Sequence, residues 1–159
     1  MLQSRNATHE DFMIIATMPQ NQEELFYMYP KGKFPISSEI LEEVALSRFS
    51  PTVITYMGEV SGYCNLYDVN EGQDCWLGNV IVHPNFRSHG VGSFLLDTMK
   101  NIARIEYNAQ ELKLICHNIN TRALLFYNKH GFKPFDMKVM EDYKSNKIIG
   151  IVMSTNLCE

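Results

Sequence analysis

Two glycines, Gly90 and Gly92, mark the stretch of this sequence that is best suited to bind an anion. They follow a short polar run and open a segment whose apolar residues recur at helical spacing. The first backbone N–H groups of a helix have no acceptor within the helix, and the helix dipole adds about half a positive charge there. Glycine keeps β-carbons away from a bulky guest, and phosphate binds readily at such helix ends. Side chains that can add hydrogen-bond donors are those of Arg87, Ser88, His89 and Ser93.

The residues around the two glycines exclude two common phosphate-binding motifs. A P-loop continues after its second glycine with lysine and then serine or threonine, whereas Ser93 and Phe94 follow Gly92. A dinucleotide-binding fingerprint needs a third glycine, where Leu95 stands, and an acidic residue near the end of the next strand, where residues 116–118 read Cys-His-Asn. What remains is a pyrophosphate site of another kind, or glycines that only let a helix and a strand pack closely.

A second segment places an amide and a phenol on one side of a predicted helix. Asn120 stands where this helix begins, and Tyr127 follows seven residues later. Seven residues make two helical turns less about 20°, and a tyrosine side chain leans toward the helix N-terminus. The Asn120 amide and the Tyr127 hydroxyl can therefore face one ligand. The alternative is a tyrosine at the edge of the core, with its hydroxyl at the surface.

The elements that must position these residues follow from hydrophobic periodicity, which predicts the order β-α-α-β-β-β-α-β-α-β-β. Three runs rich in β-branched and aromatic residues within residues 52–82 indicate an antiparallel meander. The long helical stripe after them requires a crossover to a parallel neighbouring strand. We therefore predict a single α/β (α+β) domain, residues 1–159, with helices packed on a mixed sheet.

Composition limits the classes of function. The formal net charge of -4 argues against a nucleic-acid partner and suits a cationic small substrate or a peptide amine. The N-terminus lacks the apolar region of a signal peptide, and no apolar run reaches the length of a membrane span. We therefore expect a cytoplasmic protein with no membrane partner, no metal and reduced thiols, because the cysteines lack metal-site spacing. These cysteines are Cys64, Cys75, Cys116 and Cys158.

Taken together, the two segments resemble the GNAT superfamily of acyl-CoA-dependent N-acyltransferases. Residues 87–92 fit the family's pyrophosphate motif, Q/R-x-x-G-x-G/A, and Val82-x-Pro84 precedes them as the family pattern requires. The second motif of the family is matched by Asn120, Ala123, Tyr127, Gly131 and Phe132. The resemblance implies a mostly antiparallel, twisted sheet of about seven strands with a central parallel pair, flanked by about four helices.

The resemblance also implies where acetyl-CoA binds. Coenzyme A would lie in a split between the strands of residues 76–82 and 112–117, with its pantetheine arm near Asn120. The Tyr127 hydroxyl would lie near the sulfur and protonate the leaving thiolate as general acid, because a phenol can donate to a thiolate. The backbone of Val80, Ile81 and Val82 would pair with pantetheine, and the amides of Ser88, His89, Gly90, Val91, Gly92 and Ser93 would hold the pyrophosphate.

The general base and the acceptor site are less well defined. Some relatives carry a catalytic glutamate where this chain has Ile115, so Asp74, His117 and a chain of water molecules remain as candidates. An oxyanion donor is expected from a free amide near Val82. By family analogy, the acceptor is lined by an aromatic and acidic pocket suited to a cation. Its residues would be Tyr27, Tyr29, Glu141, Asp142 and Tyr143.

The leading hypothesis is an N-acetyltransferase that transfers an acetyl group from acetyl-CoA to a primary amine of a small molecule or of a peptide or protein. Two alternatives stay open. One is a regulatory protein that binds acyl-CoA without catalysis, and the other is an acetyltransferase directed at tRNA or ribosomal protein. Exposed edge strands also suit a homodimer.

Overall fold

The chain folds around one seven-stranded sheet. The computed structural model describes residues 1–158, and the strand order across the sheet is β1-β2-β3-β4-β5-β7-β6. Only β4 and β5 run parallel, which confirms the predicted mixed, mostly antiparallel sheet with a parallel pair. The strands are β1 (Leu2–Asn6), β2 (Phe49–Tyr56), β3 (Glu59–Asn70), β4 (Asp74–Val82), β5 (Glu111–His117), β6 (Lys133–Glu141) and β7 (Lys147–Asn156).

Five α-helices, rather than about four, pack on this sheet within residues 1–158. The difference lies after Pro19, where the Asn21 side chain accepts a hydrogen bond from the Glu24 N–H at 2.9 Å and begins a separate two-turn helix. The helices are α1 (Asp11–Ile15), α2 (Gln22–Met28), α3 (Ser38–Leu46), α4 (Val91–Glu106) and α5 (Thr121–Lys129).

The helices divide between the two faces of the sheet, and each face has its own hydrophobic core. On one face, α4 buries a stripe at helical spacing that includes Val91, Leu95 and Met99. On the other face, α1 to α3 bury residues such as Ile15 and Leu25 against the middle strands. The sheet is therefore covered on both sides around β4, which is the strand that leads into α4.

The parallel pairing of β4 with β5 is short. It covers only Asp74–Trp76 against Glu111–Lys113. Beyond it, β4 carries an extra residue, Asn79, at φ 52°, where its register against β3 shifts. A bulge of this kind bends a strand, and the second half of β4 runs clear of β5. The split between these strands that the resemblance implies is present.

Candidate functional site

A cleft of about 930 Å³ opens where β4 and β5 diverge. Its walls are the second halves of these two strands, the N-terminal turns of α4 and α5, and one side of α2. The cleft is therefore reached from both faces of the sheet. It contains most of the residues that the two sequence motifs single out.

The backbone of β4 presents hydrogen-bonding groups to this cleft. The His83 N–H donates to the Ser61 carbonyl of β3 at 2.8 Å. Because backbone groups alternate in direction along an antiparallel pair, Ile81 also bonds toward β3, and Val80 and Val82 point toward the cleft. The predicted pantetheine contacts therefore reduce to the backbone of Val80 and Val82, and Ile81 reaches the cleft by its side chain.

The turn between β4 and α4 forms a cradle of unpaired amides. Within residues 1–158, no backbone N–H from Ser88 to Ser93 has an acceptor in the protein. Ser88 and Gly90 have left-handed backbone conformations, with φ of 68° and 80°, which turn successive N–H groups into a concave surface. The 16-residue α4 begins directly after them and adds its dipole. This segment has the geometry expected of an anion-binding site.

The side chains of the cradle point in different directions. The Arg87 guanidinium donates to Glu24 Oε1 of α2 at 3.0 Å and to the Val82 carbonyl at 3.3 Å, so it ties the turn to α2. The His89 ring turns outward onto Tyr56, with 5.3 Å between ring centroids, and does not line the cleft. The expectation of a His89 side-chain donor is therefore wrong, whereas Ser88 and Ser93 line the cleft as expected.

The two glycines have different physical roles. Gly90 has a positive φ, and an added β-carbon would make only an ordinary contact with Leu2 Cδ1 at 3.9 Å. A β-carbon on Gly92 would lie 3.0 Å from Cζ of Phe126. Gly92 therefore lets α4 and α5 pack closely. It does not provide the clearance for phosphate that we predict for both glycines.

Asn120 and Tyr127 both line the cleft from α5. The Asn120 side chain accepts from the Ala123 N–H at 3.4 Å, so it caps this helix as predicted. Tyr127 is partly buried, and its hydroxyl makes no hydrogen bond to residues 1–158. Burial raises the pKa of Tyr127, and the nearby thiols of Cys116 and Cys64 act in the same direction. The hydroxyl therefore stays protonated at neutral pH.

One candidate base and two predicted acceptor-site residues lie outside the cleft. Asp74 begins β4, at the far end from the cleft, and forms an ion pair with Lys113 at 2.8 Å. The prediction of Asp74 as general base is therefore wrong. Strand alternation gives the face of the sheet on which a side chain lies but not its distance from the cleft. Tyr29 packs into the core beneath α1 to α3, and Tyr143 lies beside Phe26 without reaching the cleft lining.

The predicted acidic pocket is also absent in the described part of the chain. Asp142 is used by the turn between β6 and β7, where its Oδ1 accepts from the N–H groups of Lys144 and Asn146 at 2.8 and 2.9 Å. Glu141 is exposed at the end of β6. Of the five residues expected there, only Tyr27 lines the cleft.

His117 ends β5 in the lining of the cleft and is 4% exposed. Its ring lies against Phe26 and Tyr27, with centroids 4.5 and 6.0 Å away. Its Nε2 is buried without a hydrogen-bond partner among residues 1–158. Burial lowers the pKa of His117, so the imidazole is neutral at physiological pH. A buried polar atom without a partner is costly, which marks this position for a ligand.

Sequence reasoning missed Arg48, which follows α3 and lines the cleft on the same face of the sheet as His117. Its guanidinium lies over the Tyr67 ring at 4.4 Å and donates to Asn65 Oδ1 at 3.0 Å. No local signal marks Arg48, because its partners lie on β3, more than a dozen residues away. The Arg48–Asn65 contact becomes visible only in the fold.

The chain resembles known proteins in sequence and in fold. The model of the acetyltransferase (GNAT) family matches residues 10–132, so the chain belongs to this family. A search of curated proteins finds no match. Three solved structures, each less than a quarter identical to this chain in sequence, have the same fold.

One match is a candidate phosphinothricin N-acetyltransferase, with TM-score 0.81, 18% identity and 100% of both chains covered. A second is the ribosomal-protein-S18-alanine N-acetyltransferase from Escherichia coli, with TM-score 0.77, 17% identity, and 100% of this chain and 96% of that one covered. A third is the candidate acetyltransferase YncA from Salmonella typhimurium, solved with its cofactor acetyl-CoA. It has TM-score 0.77 and 17% identity, with 99% of this chain and 95% of that one covered.

Residues 1–158 lack both a metal-binding cluster and a helix that could span a membrane. No group of three or more His, Cys, Asp or Glu side chains there is arranged to hold a metal ion. None of the helices in this part of the chain is long and apolar enough to cross a membrane.

The neutral, buried state of His117 predicts a pH dependence of stability. The unfolded imidazole binds a proton below a pKa of about 6.5, whereas the folded one resists it. The free energy of unfolding should therefore fall as the pH drops below about 6.5, by up to about 1.4 kcal/mol per pH unit, until the lowered pKa is reached. The variant His117→Phe keeps an aromatic ring against Phe26 and should lose this dependence. Urea unfolding of both proteins from about pH 8 to about pH 5 measures this dependence of the unfolding free energy. Parallel curves would contradict a buried neutral His117.

Proposed function

We propose that this protein is an N-acetyltransferase that transfers the acetyl group of acetyl-CoA to a primary amine of a small molecule or of a peptide. The observation that carries the proposal is the run of unpaired amides from Ser88 to Ser93, at the N-terminus of α4 and next to the opening between β4 and β5. An anion site beside an elongated cleft suits a ligand with a pyrophosphate and a long arm.

The lining fits acetyl-CoA, which supplies an activated acetyl thioester when bound. The amides from Ser88 to Ser93 hold the pyrophosphate. The backbone of Val80 pairs with an amide of the pantetheine arm, as a partner strand would. The Val82 carbonyl already accepts from Arg87, so the Val82 N–H is the group of that residue left for the ligand. Asn120 lines the cleft at the start of α5 and contacts this arm.

Tyr127 is the general acid for the leaving thiolate. Its raised pKa makes the phenol a weak acid, but the cleft affects thiols in the same way. Burial raises the pKa of the Cys116 thiol, on the same wall, to about 12. A thiolate released in these surroundings is likewise a stronger base than in water, so burial raises both pKa values and the Tyr127 hydroxyl can still protonate the thiolate.

The other roles fall to groups across the cleft. The free N–H of Val82 stabilises the oxyanion that forms on the acyl carbonyl. The acceptor nitrogen loses a proton as the amide forms, and the neutral imidazole of His117 takes it directly or through a water molecule. Glu24 is already paired with Arg87, and Asp74 lies outside the cleft.

Replacement of the proposed general acid, Tyr127→Phe, should lower kcat by about 10²- to 10⁴-fold, because the thiolate leaves without a proton donor. The dissociation constant for acetyl-CoA should change little, since the ring remains. Release of coenzyme A with an amine substrate measures the first quantity, and calorimetry measures the second. An unchanged kcat would exclude this role for Tyr127.

The cradle can be tested with a matched pair of glycine variants. Gly90 and Gly72 have almost the same positive φ, 80° and 81°, and both have room for a β-carbon. Gly90→Ala and Gly72→Ala should therefore each cost about 1–2 kcal/mol of stability. Only Gly90→Ala should weaken acetyl-CoA binding, because Gly72 lies in the turn between β3 and β4. Equal affinities for acetyl-CoA in the two variants would contradict the proposed cradle.

A further inference from the structure

The lining of the cleft contains one cation that the fold holds in place without giving it an acidic partner. Within residues 1–158, Arg48 forms no ion pair, whereas Arg5 pairs with Asp11 and Arg87 pairs with Glu24. Its guanidinium has a single hydrogen-bond acceptor in this part of the chain, Asn65 Oδ1. Several of its N–H donors are therefore available to a ligand.

A chain of buried amides fixes the position of Arg48. Asn65 is 0% exposed, and its Nδ2 donates to Asn79 Oδ1 at 2.8 Å and to the Tyr63 hydroxyl at 3.0 Å. Asn79 in turn donates to the Met28 carbonyl of α2 at 2.9 Å. The guanidinium therefore rests on a network that also shapes the bulge of β4. This arrangement orients Arg48 before any ligand arrives.

The adjoining residues make close approach to Arg48 possible. Gly78 leaves the space that the guanidinium occupies, because an added β-carbon there would overlap Arg48 Nη1. The Tyr67 ring covers one side of the guanidinium and leaves its edge for hydrogen bonds. The planar donors of arginine match the two oxygens of a carboxylate.

The rest of this part of the cleft is mainly apolar or neutral. Tyr27, Ile115 and Met140 contribute carbon surface, and His117 contributes the unpaired buried Nε2. The other charged side chains of the whole lining are paired with each other, as Glu24 and Arg87 are, or exposed. The exposed ones are Glu23 and Arg122.

We infer that the acceptor is an amine that also carries an anionic group, such as the carboxylate of an amino acid, with Arg48 binding the anion and His117 facing the amine. The inference rests on the proposed function and names the class of its acceptor. It replaces the acidic pocket for a cation that the sequence suggested. In the transfer, the nitrogen forms a bond to the acetyl carbon and the carbon–sulfur bond breaks. The thiolate takes the Tyr127 proton, and the nitrogen gives one proton to His117.

The test compares amines that differ only in the carboxylate. Suitable pairs are leucine with 3-methylbutylamine, phenylalanine with phenethylamine, and γ-aminobutyrate with propylamine. Binding is measured by calorimetry with and without coenzyme A, and turnover with acetyl-CoA is measured by thiol release. For at least one pair, the carboxylate should improve affinity and kcat/KM on the order of 10- to 100-fold.

Variants assign the preference to Arg48. Arg48→Gln should reduce the advantage of the carboxylate by a similar factor, mainly through KM, whereas the exposed control Arg104→Gln should preserve it. Thermal unfolding and coenzyme A binding verify that each variant is folded. If the wild type binds the plain amine of every pair as well as or better than the acid, the inference is overturned, whatever the variants do. If coenzyme A itself fails to bind, the proposed function is overturned instead.

Discussion

The early end of the pairing between β4 and β5 is the constraint on which the rest of this structure depends. The two strands share only three residue pairs. Beyond them, the backbone groups of β4 on the side of β5 pair with no strand within residues 1–158, and the Val82 carbonyl accepts from the Arg87 side chain instead. The bulge at Asn79 maintains the opening, because its side chain is bonded to β3 on one side and to α2 on the other. Contacts within the folded chain therefore hold the split open.

The other elements are arranged around this opening. The N-terminus of α4 follows the end of β4 and presents its free amides beside the split, while α5 brings Asn120 and Tyr127 to the same wall. On the opposite face, α2 contributes Tyr27, and the segment after α3 contributes Arg48. In the proposed reaction, acetyl-CoA occupies the side of α4 and α5, and the acceptor approaches from the side of α2 and α3. The opening in the sheet is where the two meet.

Local sequence signals predicted the fold and the framework of the site. The apolar stripe of α4, the helix starts at Asn120 and Gly90, and the spacing to Tyr127 are determined within short segments, and a single sequence displays them directly. The separate helix α2 was underestimated, because its start depends on one capping contact of Asn21.

What the sequence could not predict depends on long-range contacts. Arg87 looked like a phosphate ligand because it precedes the glycines, but its partner Glu24 lies 63 residues away. The alternation of side chains along β4 indicates the face of the sheet on which Asp74 lies, but not how far Asp74 is from the split. The need for glycine at position 92 comes from its contact with Phe126 on another helix. The position of Arg48 depends on a hydrogen-bond network that spans α2, β3 and β4.

The central claim is that the amide cradle beside the split binds the pyrophosphate of acetyl-CoA. Calorimetric titration of the protein with acetyl-CoA and with S-acetylpantetheine, which has the same acyl end but no pyrophosphate, tests it most directly. Charge-assisted hydrogen bonds from several amides should make acetyl-CoA bind more tightly, on the order of 100-fold or more. Equal affinity for the two compounds would contradict the account.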